Sequence, residues 1–138
     1  MEKILQIIDV NLNRVREGLR VCEEIARFVL KDKNLTKEIK DERHRLTEIF
    51  AEFEPSLVKH RNSLKDIGLD KEFDKLSYKD TKDIALSNIK RCEEGMRVLE
   101  EFSKTLRDEI PPKLKEIRFK LYDIEKRMHA LINGYSSK

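Results

Sequence analysis

Asn11, Arg14, Asn88 and Arg91 have the types and the spacing to hold an anion. They fall in two stretches that read as one motif written twice. Asn11–Glu24 is N-L-N-R-V-R-E-G-L-R-V-C-E-E, and 77 positions later Asn88–Glu101 is N-I-K-R-C-E-E-G-M-R-V-L-E-E. Asn11, Arg14, Glu17, Gly18, Arg20, Val21, Glu23 and Glu24 each meet the same residue in the second copy, so the repeat comes before any other feature. At roughly 100° per residue, Asn11, Arg14, Gly18 and Val21 share one helix face, a mixed stripe where a plain packing helix would stay apolar. A guanidinium presents a fork of N–H donors that matches a phosphate. If the two copies cross, their polar stripes line one anion site. The competing reading is a core helix whose edge carries solvated ion pairs, for which Arg14–Glu17 and Arg20–Glu24 have the spacing.

Gly18 and Gly95 weigh against a plain helix edge. A mid-helix glycine costs about 1 kcal/mol relative to alanine, and the repeat accepts that cost twice at the same place. Either the two helices cross closely there, the favoured reading, or a ligand needs room beside the backbone. A second chemically pointed group is Arg61-Asn62-Ser63-Leu64-Lys65-Asp66-Ile67-Gly68. It combines a fork donor, a hydroxyl, a carboxylate able to hold Mg²⁺ and a turn glycine. Taken alone it reads equally well as an ordinary Asx-turn loop.

Helices must position these groups. Val15, Leu19, Cys22, Ala26 and Val29 form an apolar stripe, matched in the second copy by Cys92, Met96, Leu99, Ser103 and Leu106. The pattern predicts a helix from about Asp9 to Leu30, after an apolar lead-in over Met1–Ile8. A second helix is expected from about Leu35 to Phe53, stopped by Pro55. A third runs from Thr81, read as its N-cap, to about Arg107. A fourth opens at Pro111-Pro112 and stops at Asn133-Gly134. A shift of 75 also aligns Ile39–Leu46 with Leu114–Leu121. The expected fold is therefore all-α, a four-helix bundle built from two pseudo-repeated hairpins with a long middle loop. It is read as a single domain over 1–138, with halves at about 1–54 and 80–134 and a loop at about 55–79.

Composition agrees and excludes some functions. Charged residues make up 41% of the 138, with only four glycines and three prolines, which suits long helices. Thirty basic against 27 acidic residues leave +3, too balanced to imply nucleic-acid or membrane binding. With no leader pattern and no apolar run of membrane-spanning length, a cytoplasmic protein is expected. Cys22 and Cys92 occupy core positions that the other repeat fills with aliphatic residues, so both are read as buried free thiols. Phosphate-binding glycine loops, serine-hydrolase elbows and zinc-protease helices are absent.

Four ordered motifs now stand in the chain: N-x-x-R-x-x-E-G-L-R-V-x-E-E at Asn11, R-x-S-x-x-D-x-G at Arg61, N-x-x-R-x-x-E-G-M-R-V-L-E-E at Asn88 and R-F-x-L-Y at Arg118. Together they resemble the small all-helical hydroxymethylpyrimidine-phosphate kinases of thiamin biosynthesis, a family found alone or fused to thiamin-phosphate synthase. The resemblance spans essentially the whole chain. Asn62 stands where family sequences often carry Asp, so no metal role is assigned there. The resemblance implies a phosphomethylpyrimidine kinase that uses ATP to convert hydroxymethylpyrimidine monophosphate to the diphosphate. Such a reaction brings two polyanions together and calls for Mg²⁺ with fixed cations.

On that reading Arg14, Arg91 and Arg61 are the expected catalytic phosphate ligands. Asp66, with Glu17 or Glu94, would hold the metal. Asn11, Asn88, Ser63, Arg20, Arg97, Arg43, Arg118 and Tyr122 would bind ATP or substrate or orient the groups that do. Small molecules are the expected partners, with functional coupling to thiamin-phosphate synthase, and the sequence leaves a homodimer open. The alternative is a non-catalytic helical module that binds a thiamin-pathway phosphate or the synthase itself. A purely structural bundle ranks last, since it would not need the Asn-Arg-Gly stripe twice.

Overall fold

A computed structural model describes residues 1–70 and 77–136, and every regular element among them is helical. The α-helices are α1 (Glu2–Phe28), α2 (Lys33–Ile49), α3 (Glu54–Lys59), α4 (Thr81–Ser103) and α5 (Ile110–Ser136), with 3-10 turns at Ala51–Phe53, Ser63–Lys65 and Ile67–Leu69. Among the described residues there are thus five α-helices where four were expected. Pro55 accounts for the extra one. It does not stop a helix but opens α3, because a first-turn N–H would have no intrahelical partner anyway.

Three other boundaries differ from the sequence expectation, each for a local reason. The apolar lead-in is helical, so α1 starts at Glu2 and Asp9 lies well inside it. Asp80, not Thr81, caps α4, its side chain accepting from the Asp83 N–H at 3.1 Å. Asn133-Gly134 does not end α5, which continues to Ser136; without a left-handed residue a glycine only weakens a helix. The α1–α2 turn does use a left-handed residue, Lys31 at φ 52°. Asp32 follows it and caps α2 by accepting from the Leu35 N–H at 2.8 Å.

α1 packs most extensively against α4, then α2 against α1 and α5 against α4, with α2 and α5 also touching. The α1–α4 seam is built from Val15, Leu19 and Cys22 on one side and Ile89, Cys92 and Met96 on the other, all fully buried. At roughly 25 cal/mol per Å² of apolar surface this seam is what holds the two repeats together. The two glycines are why the helices approach so closely. A Cβ on Gly18 would lie 2.5 Å from Cys92 Sγ, and one on Gly95 would lie 2.6 Å from Val15 Cγ2. Positions 18 and 95, like 15 and 92, correspond in the sequence repeat, so each copy receives the contact it gives. Helix crossing therefore explains the glycines.

Candidate functional site

The crossing carries Asn11, Arg14 and Gly18 of α1 and Asn88 and Arg91 of α4 to the wall of one cleft of about 880 Å³. Arg61, Asn62, Ser63, Lys65 and Asp66 border it from the loop after α3. The asparagines are oriented by their own helices. Asn11 Nδ2 donates to the Ile7 carbonyl at 2.9 Å, and Asn88 Nδ2 repeats the bond to Ile84 at 2.8 Å. The Asn11 amide oxygen is then free to accept from Arg14 Nη1 at 3.1 Å, which fixes that guanidinium at the cleft. Lys3, Arg14, Arg61, Lys65 and Arg91 face Asp9, Glu17 and Asp66 across the same space, so the lining is net cationic.

What separates the arginines is whether a carboxylate already holds them. Arg43 of α2 donates to Glu23 Oε1 at 3.1 Å through Nε, with Nη2 3.0 Å from the same oxygen. Arg118 of α5 grips both oxygens of Glu100, its Nη2 at 3.1 Å, and donates to the Tyr122 hydroxyl at 2.9 Å. Glu23 and Glu100 are buried and correspond in the repeat. Arg20 lies 3.5 Å from Glu24, and Arg97 lies 2.7 Å from Glu101. Arg14 and Arg91 alone among these repeat arginines make no ion pair among the described residues.

Arg20, Arg97, Arg43, Arg118 and Tyr122 lie outside the cleft lining, so the structure does not bring them together with the other expected site residues, and Arg20 and Arg97 make the expected pairs with Glu24 and Glu101. Arg43 and Arg118 tie the outer helices to α1 and α4 through Glu23 and Glu100, and Arg20 and Arg97 brace those two carboxylates as well. Arg20 and Arg43 do border a shallower groove of about 440 Å³ with Asn13, Arg16, Glu17 and Thr47. Its arginines are engaged by Glu23, Glu24 and Glu54, which leaves little positive charge for a ligand.

Arg61 lines the cleft but is also committed. Its Nε donates to Asp9 Oδ2 and its Nη2 to Asp9 Oδ1, both at 2.7 Å. These bonds and the Asp9 charge raise the guanidinium above its ordinary value. Asp9 is the functional residue that the sequence reading misses, because a carboxylate before a long apolar-periodic segment reads as a helix start. The available signal is its register: Leu5, Asp9 and Leu12 share a face, which places a charge on a buried stripe. Lys3 and Lys65 are missed as well; only their spatial convergence marks them.

The expected metal ligands are gathered in part. Glu17 and Asp66 line the cleft and Glu94 does not. Asp66 Oδ1 is already used, accepting from the Gly68 N–H at 2.8 Å. No three His, Cys, Asp or Glu side chains converge on a metal position among the described residues. Glu17 and Asp66 are two carboxylates at one cleft, so a Mg²⁺ ion there would need phosphate oxygens or water to complete its shell. The cysteines are free and buried. Burial, aided by Glu93, pushes the Cys22 thiol up to about 12, and burial raises Cys92 as well, so neither is a nucleophile at neutral pH.

A family model described as the ThiD2 family matches residues 6–127. Among curated proteins the chain is 38% identical over 125 residues to a thiamine-phosphate synthase of Prochlorococcus marinus (strain AS9601), covering 89% of this chain and 34% of that one. It is 34% identical over 129 residues to a thiamine-phosphate synthase of Nostoc punctiforme, covering 91% and 35%. It is 30% identical over 137 residues to one of Rhodopirellula baltica, covering 98% and 36%. The chain thus spans about a third of the length of the relatives it matches. No solved structure matches it significantly. The expectation of a phosphomethylpyrimidine kinase is corrected by these names, which belong to a different enzyme, thiamine-phosphate synthase. No helix among the described residues is long and apolar enough to cross a membrane.

Proposed function

This chain belongs to the ThiD2 family, and from that premise we propose that it is a helical binding module of thiamin biosynthesis, whose cleft holds a phosphate-bearing intermediate of the pathway. The observation that carries this reading is the state of Arg14 and Arg91. Two arginines from corresponding positions of the repeat line one cleft, and neither is neutralised by a carboxylate among the described residues. Both side chains are exposed, so water meets their donors and no carboxylate has to be displaced before a ligand can take them. A phosphate does so with charge-assisted hydrogen bonds to both.

The rest of the lining supports the same ligand class. Lys3 and Lys65 add positive charge, Ser63 a hydroxyl, and the Asn side chains neutral polar edges. Ile7, Val10 and Val21 give the cleft an apolar strip against which a small ring can lie. Hydroxymethylpyrimidine monophosphate, the compound implied by the sequence resemblance, has both parts. The relatives' names support a place beside thiamine-phosphate synthase, which would receive what this module holds.

Calorimetric titration of the chain with inorganic phosphate and with the pyrimidine monophosphate tests the reading. Saturable binding of both is expected, tighter for the pyrimidine compound, and lost when Arg14 and Arg91 are replaced together by alanine. Absence of binding, or binding indifferent to that double substitution, would sink it.

A further inference from the structure

We propose that Asp9 is a positioning residue that fastens the 61–70 loop to α1 through Arg61 and so sets where Ser63, Lys65 and Asp66 stand along the cleft. The proposal rests on the anion-binding reading of that cleft and names the device that completes its outer wall.

A carboxylate buried in α1 is tolerated only when it is paired, since the effective desolvation penalty is several kcal/mol. Arg61 supplies the pair in its strongest form, two parallel bonds with one fixed relative orientation. One residue earlier, Gln6 Nε2 donates to the His60 carbonyl at 2.9 Å, so a second tie runs from the same turns of α1. The loop beyond needs such fastening. Its side chains are exposed, with Leu64 at 85% and Ile67 at 79%, so no apolar core pins it. Its internal bonds, Lys65 N–H to Asn62 O at 3.2 Å and Gly68 N–H to Asp66 Oδ1, shape the loop without joining it to a helix.

Placement on one helix gives the tie its consequence. Gln6 and Asp9 lie immediately before Asn11 and Arg14 on α1, so a single rigid element sets the distance between loop and anion donors. The second repeat has Leu86 where the first has Asp9. The tie through Asp9 therefore has no counterpart at the matching position of α4, which makes an otherwise paired cleft one-sided.

The test separates this from a rival role for Arg61. If Arg61 were itself a phosphate ligand restrained by Asp9, Asp9→Asn would release it and tighten binding. A positioning Asp9 gives the opposite sign. Inorganic phosphate affinity is measured by calorimetry for the unmodified chain, Asp9→Asn, Arg61→Gln and the double variant, with trypsin cleavage after Lys65 followed in parallel. The expected result is a roughly 10-fold weaker Kd in each single variant, a double variant no worse than either, and faster cleavage at Lys65. Tighter or unchanged binding in Asp9→Asn, or strictly additive losses, overturns the proposal. Should Asp9→Asn fail to fold, Arg61→Gln at its exposed position decides: cleavage at Lys65 no faster than in the unmodified chain overturns it. An unmodified chain that binds no phosphate refutes the anion reading instead, while the cleavage rates still judge the tie.

Discussion

Gly18 of α1 and Cys92 of α4 meet so closely that a methyl group on the first would stand 2.5 Å from the sulfur of the second. The sulfur has nowhere to go: Cys92 is fully buried and its thiol donates to the Val15 carbonyl at 3.5 Å. Gly18→Ala gains helix propensity of about 1 kcal/mol but overpacks the seam at a cost of about 1–3 kcal/mol. A net loss of stability is expected in urea unfolding, and Cys92→Ala in the same chain should restore it. Gly95→Ala should behave alike, rescued by Val15→Ala. If Gly18→Ala raises the midpoint, the close crossing is not what the glycine serves.

The paired arginines give a prediction of the opposite kind from the unpaired ones. Removing Arg43 or Arg118 leaves Glu23 or Glu100 charged and buried without its strongest partner. Arg43→Ala and Arg118→Ala should each cost about 3–5 kcal/mol in unfolding free energy, while phosphate affinity of the folded fraction stays near that of the unmodified chain. A loss of binding with stability intact would return these residues to the site.

The sequence carries the helices, the repeat and the residues at the α1–α4 crossing, because all three follow from period and identity. Type and spacing alone select Arg14, Arg91, Asn11, Asn88, Ser63, Asp66 and Glu17, and one cleft gathers them. What the sequence leaves open is which arginines a carboxylate from another helix already holds. The i, i+4 spacing already pairs Arg20 with Glu24, whereas only distances reveal that Glu23 holds Arg43 from another helix. Spacing along one helix shows which side chains share a face but not which partner a second helix brings. Asp9 escapes for a related reason, since its partner Arg61 is distant in sequence and approaches from a loop without periodicity.

Alanine at Arg14 or Arg91 should weaken phosphate binding by roughly 10-fold or more, the worth of a charge-assisted bond. Stability should hardly change, because neither guanidinium satisfies a buried carboxylate among the described residues. Arg14→Lys should recover only part of the affinity, as an ammonium keeps the charge but loses the fork and the Asn11 contact. Calorimetry for affinity and thermal melting for stability separate the two effects. Unfolding of Arg14→Ala would show instead that the residue is structural.

Glu93 supplies a pH dependence whose sign is fixed. It lies on α4 where the first repeat has Arg16, buried beside Glu125 of α5, and one of its oxygens, Oε2, has no hydrogen-bond partner among the described residues. Burial, with the Glu125 carboxyl next to it, pushes Glu93 up to about 8. Lys90 offsets this only in part, at 3.7 Å from Glu93 and 3.2 Å from Glu125. In the unfolded chain the group titrates near its ordinary value of about 4.3. Between the two values the folded chain retains a proton that the unfolded chain has released. Stability from this group is therefore complete at acid pH and declines as pH rises toward 8. Each tenfold difference in proton affinity between the folded and unfolded chains is worth about 1.4 kcal/mol, so a decline of at least about 1 kcal/mol is expected between about pH 5 and pH 8. Glu93→Gln keeps the shape and cannot ionise, so its unfolding free energy should be flatter over that range and higher at the alkaline end. Phosphate affinity should not move, since Glu93 is outside the cleft lining. Urea unfolding of both chains across that range is the measurement, and equal slopes would show that Glu93 is ionised throughout.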